Sequence, residues 1–162
     1  MARRYRRTGR YSRRLKTVKY SNETASWSGD INTNYAINMI AGTNIQGMRK
    51  CKNFELKIFA SASSNIAPAN VQYIYALVYV PQNTEPGLLT LGTAENSAAL
   101  YQPDQNIIMS GCVNMNGTVT INRTRLARNL NSGDAIGLIL KPIDLTAGTI
   151  KTTVTLNYAM TF

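Results

Sequence analysis

The chain has 162 residues, enough for one domain, and its 18 basic and eight acidic residues give a formal net charge of +10. It contains no histidine, and its two cysteines lie far apart without metal-ligand spacing, which argues against a zinc site, a Ser-His-Asp triad or a Cys-His pair. The longest apolar stretch, Tyr73 to Val80, is far too short to cross a membrane. We therefore predict a protein that is not an enzyme and that has no metal, cofactor or membrane partner.

Most of the positive charge lies at the amino-terminal end. The first 20 residues hold nine basic side chains and no acidic one, whereas the remaining 142 carry nine basic and eight acidic residues. Such an uneven distribution is typical of an arm that binds a polyanion. The arm also has too few apolar groups to offset the entropy of ordering it. We predict a disordered basic arm over residues 1–20 and a folded domain over residues 21–162.

The residue types of the arm suit single-stranded nucleic acid. Arginine pairs bidentately with phosphate, and the interleaved rings of Tyr5, Tyr11 and Tyr20 can stack on unpaired bases. Such binding is salt-sensitive and indifferent to base sequence. A nuclear-localisation signal and a solvated tail are the alternatives, and nuclear import is expected as a second use of the same residues. The predicted nucleic-acid-binding residues are Arg3, Arg4, Tyr5, Arg6, Arg7, Arg10, Tyr11, Arg13, Arg14, Lys16 and Lys19.

After the arm, short runs rich in Val, Ile, Thr and Tyr are separated by Asn, Gly, Pro and Ser, which is a strand-and-turn pattern. The run Val71–Val80 is apolar at nearly every position, so we expect a central strand covered on both faces. Eight short strands without a long helix indicate a sandwich or a barrel. The predicted strands are Lys16–Trp27, Tyr35–Ile40, Cys51–Ala60, Val71–Val80, Ile107–Val113, Thr118–Asn122, Ala135–Leu140 and Thr149–Met160.

Two smaller groups of cations occur in the folded domain. Arg49, Lys50 and Lys52 precede and begin a predicted strand, where they either extend the polyanion-binding surface or form an ordinary exposed strand end. One helical turn is predicted within Arg123–Asn131. That turn would place Arg125 and Arg128 on one face, and salt bridges between subunits or a structural role are favoured there over nucleic-acid contact.

The segment Pro81–Asn106 contains 26 residues, three prolines and no clear strand. Loops of this length usually bind a partner or lack order. Its leucines and Tyr101 need an apolar surface to pack against, and we expect another copy of the chain to supply that surface. Cys51 and Cys112 can form a disulfide, although two buried free thiols are favoured in a reducing compartment.

Several segments resemble the capsid proteins of circoviruses and related circular, Rep-encoding single-stranded DNA viruses. The resemblance rests on the start MARRYRRTGRYSRR and on the segments FELKIFAS, ALVYVPQNTEPGLL, ALYQPDQNIIMSG and LNSGDAIGLIL. It implies an all-β, eight-stranded jelly-roll sandwich of two four-stranded antiparallel sheets. It also implies a virion protein that forms a small icosahedral shell of about 60 identical subunits.

The same resemblance implies that the shell packages a circular single-stranded DNA genome, with RNA taken up when the protein is expressed alone. Delivery to the host nucleus, through the host nuclear import machinery, is a further implication. The near-neutral domain favours assembly, because like charge opposes repeated close contacts between copies. The alternative is a cellular ribosomal or architectural nucleic-acid-binding protein with a basic extension, which would usually carry basic residues on its folded surface as well.

Overall fold

A computed structural model describes residues 17–31, 33–44, 47–62, 72–84, 107–114, 116–143 and 148–162. These residues form eight β-strands, and no helix occurs within the described ranges. The strands are β1 Val18–Asp30, β2 Tyr35–Ile40, β3 Arg49–Ala62, β4 Gln72–Val80, β5 Ile107–Asn114, β6 Asn116–Leu130, β7 Ala135–Pro142 and β8 Thr149–Thr161.

The strands form two four-stranded antiparallel sheets. Sheet A has the order β1-β8-β3-β6, and sheet B has the order β2-β7-β4-β5. Pairing is nested along the chain: β4 pairs with β5, β3 with β6, β2 with β7 and β1 with β8, and successive pairs alternate between the two sheets. A long antiparallel ribbon folded over in this way is a jelly roll, which confirms the predicted fold class.

The main core lies between the two sheets. Alternate residues of sheet A point into it, as in β8, where Ile150, Thr152, Val154, Leu156 and Tyr158 are all buried. Period-two burial of this kind leaves the other face of sheet A exposed. Sheet B differs, because it also carries a second buried cluster on its other face, formed by Ala76, Val78, Val80, Ala135 and Ile139.

The expectation for the most apolar strand is confirmed. β4 lies between β7 and β5 in sheet B, and its residues contribute to both buried clusters. The run Asn131-Ser132-Gly133-Asp134 forms a turn before β7, since the amide of Asp134 donates to the carbonyl of Asn131 at 3.2 Å. Gly133 has a φ of 82°, a conformation that glycine adopts at little cost.

Two expectations are wrong. The segment predicted to contain a helical turn continues as strand, because β6 runs from Asn116 to Leu130 and pairs with β3 along its length. The expected pair of buried thiols is also wrong in part: both cysteines are free, Cys51 is buried, and Cys112 is exposed on the edge strand β5. Residues 1–16 of the predicted arm and residues 85–106 of the predicted loop lie outside the described residues.

Candidate nucleic-acid interface

The cations of the folded domain are concentrated in one sheet. Among the described residues, nine of the ten Lys and Arg side chains belong to the strands of sheet A, and only Lys141 of β7 belongs to sheet B. The nine are Lys19 in β1, Arg49, Lys50, Lys52 and Lys57 in β3, Arg123, Arg125 and Arg128 in β6, and Lys151 in β8.

Strand alternation decides which of these cations face solvent. In β3, Phe54, Leu56 and Ile58 are buried, so Lys57 points to the outer face of sheet A. We call this outer face the basic face and define it by its outward cations Lys50, Lys52, Lys57, Arg123 and Lys151.

A β-bulge shifts the alternation within β3. Arg49 and Cys51 are buried before it, and Phe54 is buried after it, so the buried positions change from odd to even numbers. Asn53 lies at the change and has a φ of 56°, while the register with both neighbouring strands shifts at this point. An extra residue in a strand produces such a shift, and asparagine tolerates the left-handed conformation better than most residues.

Strand alternation separates the three residues of the predicted second basic cluster. Lys50 and Lys52 project from the basic face, but Arg49 is only 5% exposed and donates from Nη2 to the carbonyl oxygen of Asp134 at 3.3 Å. Arg49 therefore makes a structural contact between the two sheets. The two lysines lie near the start of β1, because Thr161 of β8 pairs with Val18 on one side and with Lys50 on the other.

The three arginines of β6 have different environments. Arg123 donates from Nε to Oε2 of Glu55 at 2.5 Å, and Arg128 donates from Nη2 to the carbonyl of Ile107 at 3.4 Å. Arg128 thus connects the β6 edge of sheet A to the β5 edge of sheet B, which is a structural use. Arg125 is exposed beside the bulge.

A polar row crosses all four strands of the basic face. Asn22 of β1 donates to Oδ1 of Asn157 in β8 at 2.5 Å, and Asn157 donates to Oε1 of Glu55 in β3 at 3.2 Å. Arg123 of β6 completes the row, and Lys57 forms an ion pair with Glu55 at 3.0 Å. Hydrogen bonds from Lys57, Arg123 and Asn157 lower the pKa of Glu55 to about 2, so this carboxylate stays ionised among the cations.

Of the predicted nucleic-acid-binding residues of the arm, Lys19 is the one that falls within the described ranges, and it is exposed in β1. Its neighbour Tyr20 is 79% exposed and lies on the basic face. Sequence reasoning missed Lys57 and Lys151 as members of this face. Lys57 and Lys151 each alternate with apolar neighbours in the sequence, which indicates that both side chains face outward. Only the pairing of β3 with β8 shows that these two lysines share a face with Lys50.

In the described part of the chain, no group of three or more His, Cys, Asp or Glu side chains is placed to hold a metal ion. No helix long and apolar enough to cross a membrane occurs among the same residues. The arrangement defines a jelly-roll domain with one cationic sheet face and one sheet that is apolar on both faces.

Comparison with known proteins finds similar solved structures. No protein-family model matches the chain, and no curated protein matches it. The fold is similar to a solved structure described as the cyanophage Pam1 capsid asymmetric unit, with 14% identity, a TM-score of 0.38 and coverage of 98% of this chain and 93% of that one. It is also similar to a structure of Desmodium yellow mottle tymovirus, with 13% identity, a TM-score of 0.36 and coverage of 87% and 88%. The fold assignment therefore rests on the strand order itself.

Proposed function

We propose that this chain is a viral capsid protein that assembles into a small icosahedral shell and packages a circular single-stranded DNA genome through its basic arm. The virion is its final location, and the arm also directs it to the host nucleus through the nuclear import machinery. The observation that carries the proposal is the distribution of charge. The chain enters sheet A from the arm at Val18, beside the end of the basic face that holds Lys50 and Lys52.

The start of β1 lies beside the cations of the basic face, and nine basic residues precede residue 21 in the sequence. Close-spaced Lys and Arg side chains release the counterions condensed on nucleic acid, and that release drives binding without reading bases. Sheet B has apolar residues on both faces, and Lys141 is its one cation among the residues that the structure describes. Copies of the chain can therefore approach sheet B without strong charge repulsion.

Exposed apolar side chains support self-association. Phe59 of β3 pairs with Val119 of β6, and Ile121 lies one outward position further along β6. All three are exposed, as is Leu126 on the same strand. β6 is the edge of sheet A, and a long edge strand with apolar side chains is a surface at which another chain can pair or pack. A second copy of the subunit is the partner that a shell requires.

Electron microscopy of the purified full-length protein tests the proposal. We expect uniform closed particles that contain nucleic acid, and we expect a variant with the seven arm arginines changed to glutamine to lose that nucleic acid while retaining its β-sheet circular dichroism spectrum. A protein that stays monomeric in all buffers, with and without added single-stranded DNA, would refute the proposal.

The basic face also fits the second candidate, a cellular ribosomal or architectural protein with a basic extension, since such proteins place cations on the folded surface. Binding stoichiometry separates the two. A ribosomal protein binds one defined RNA site and saturates at one copy per site. A shell protein binds any single strand in proportion to its length.

A further inference from the structure

A cavity of about 440 Å³, lined by both polar and aromatic side chains, opens on the basic face near the start of β1. Its wall includes the ring of Tyr20, and its polar lining includes Asn22 from β1, Asn157 from β8, and Asn53 and Glu55 from β3. Its volume is in the range of sites that hold small organic ligands.

The recess lies at an irregularity in sheet A. The bulge at Asn53 interrupts the pairing of β3 with β8 and displaces the β3 backbone from its regular position. Asn53, at the bulge, forms part of the wall of the recess.

The amide group of Asn157 has a fixed orientation. Asn157 accepts a hydrogen bond from Asn22 and donates one to Glu55, so its oxygen and nitrogen positions are determined by its partners. Asn53 makes no side-chain hydrogen bond to the residues that the structure describes, and it remains available to a ligand. Amide groups both donate and accept, as do the edges of nucleobases.

The remaining groups suit the other parts of a nucleotide. The Tyr20 ring is 79% exposed, which leaves a face open for stacking. Lys52 lies in the same row two strands away, roughly 10 Å across the sheet, and Lys50 lies in the next row. These lysines can therefore pair with phosphates on either side of a base that rests against Tyr20.

We propose that this recess binds one nucleobase of a single strand, with Tyr20 stacking on the base, Asn53 and Asn157 contacting its edge, and Lys50 and Lys52 holding the adjoining phosphates. The inference rests on the proposed function and specifies how the folded domain, in addition to the arm, contacts the packaged strand. It predicts a base-dependent component of binding that phosphate neutralisation alone does not produce.

Paired oligonucleotides isolate that component. Full-length unassembled subunits are titrated at high salt with a short oligothymidylate and with an abasic oligonucleotide of the same length, because both probes carry the same phosphates and only one carries bases. We expect the wild-type protein to prefer oligothymidylate, and Tyr20→Leu to lower that preference by about 5-fold or more. Tyr20→Phe, which keeps the ring, is the matched control and should retain the preference. Ultraviolet crosslinking of the wild-type protein to oligothymidylate should label the peptide that contains Tyr20.

Two results would overturn the inference: equal affinity of the wild-type protein for the two probes, or a preference that survives Tyr20→Leu and must then come from Tyr5 or Tyr11. Neither result affects particle formation or the salt-dependent binding of the arm. Failure of the base site can therefore be distinguished from failure of the proposed function, in which particles and bulk binding are both absent.

Discussion

The buried guanidinium of Arg49 donates to the main-chain carbonyl of Asp134, at 3.3 Å, and so joins the first residue of β3 in sheet A to the turn that begins β7 in sheet B. The carboxylate of Asp134 accepts from the amides of Asn131 at 2.8 Å and Gln82 at 3.2 Å. Burial alone would raise the pKa of Asp134, but the hydrogen bonds from Tyr79, Asn131 and Gln82 hold it below its ordinary value. One end of the sandwich is thus closed by a polar cluster.

Replacing Arg49 should lower stability without affecting nucleic-acid binding. Arg49→Met keeps most of the aliphatic volume but removes the donor, and the loss of a buried partner for the carbonyl costs about 1–3 kcal/mol. Lys50→Met is the matched control, because the adjacent exposed residue should change the free energy of unfolding by less than about 0.5 kcal/mol. Urea unfolding measures both variants. Equal midpoints for the two would show that the Arg49 hydrogen bond contributes nothing.

Neutralising the exposed lysines should change the salt dependence of binding. If Lys50 and Lys52 each neutralise one phosphate, the double variant Lys50→Gln with Lys52→Gln should reduce the slope of log affinity against log salt concentration by about 1.4 for a single strand. Lys141→Gln in sheet B should leave the slope unchanged. Filter binding or fluorescence anisotropy over a salt series gives the slopes. Identical slopes for all three proteins would mean that the strand does not reach the basic face.

The ion pairs of Glu55 predict how the stability of the folded protein depends on pH. Its pKa in the folded protein is about 2, below the ordinary value of 4.5, so the folded state binds the proton less readily than the unfolded state does. The stabilisation is therefore fully present above pH 4.5 and is lost as the pH falls from 4.5 to about 2. Unfolding midpoints of Glu55→Gln should decline less over this interval than those of the wild type. A carboxyl resonance of Glu55 that titrates near 4.5 would contradict the expectation.

The two thiols should differ in reactivity. Burial raises the pKa of Cys51 to about 11, whereas Cys112 is exposed on β5. We expect the folded, unassembled subunit to show one fast-reacting thiol with a disulfide reagent, and a second only after unfolding. Cys112→Ser should abolish the fast phase, and Cys51→Ala should retain it. Two fast thiols would mean that Cys51 is accessible.

Much of the fold could be predicted from local pattern, because a half-buried strand shows its inward residues at every second position. Phe54, Leu56 and Ile58 show this in β3, and the glycine turn before Asp134 marks the start of β7. The same reasoning failed for β6, whose second half carries Arg123, Arg125 and Leu126 on an exposed edge. Pairing with β3 makes that segment a strand, although its own sequence lacks alternation.

The candidate interface was predictable only in part for a related reason. Lys50 and Lys52 were recognisable as a basic cluster, but the burial of Arg49 depends on the bulge at Asn53, for which the sequence has no distinctive signal. The recess beside Tyr20 depends on the register that places Asn157 beside Asn22 on one side and beside Glu55 on the other. Register between strands that are far apart in sequence is set by the packing of the whole sandwich.

The pairing of β1 with β8 also constrains how the protein is made. β8 is the one neighbour of β1 in sheet A, and the contacting residues Asn22 and Asn157 are 135 positions apart. A nascent chain therefore cannot complete sheet A until β8 has left the ribosome, so we expect this sheet to form late and slowly, as in other sheets built from non-local pairs. During that interval β1 has been translated but has no partner strand. Binding of nucleic acid or of a chaperone to β1 and to the basic residues before it therefore competes with folding.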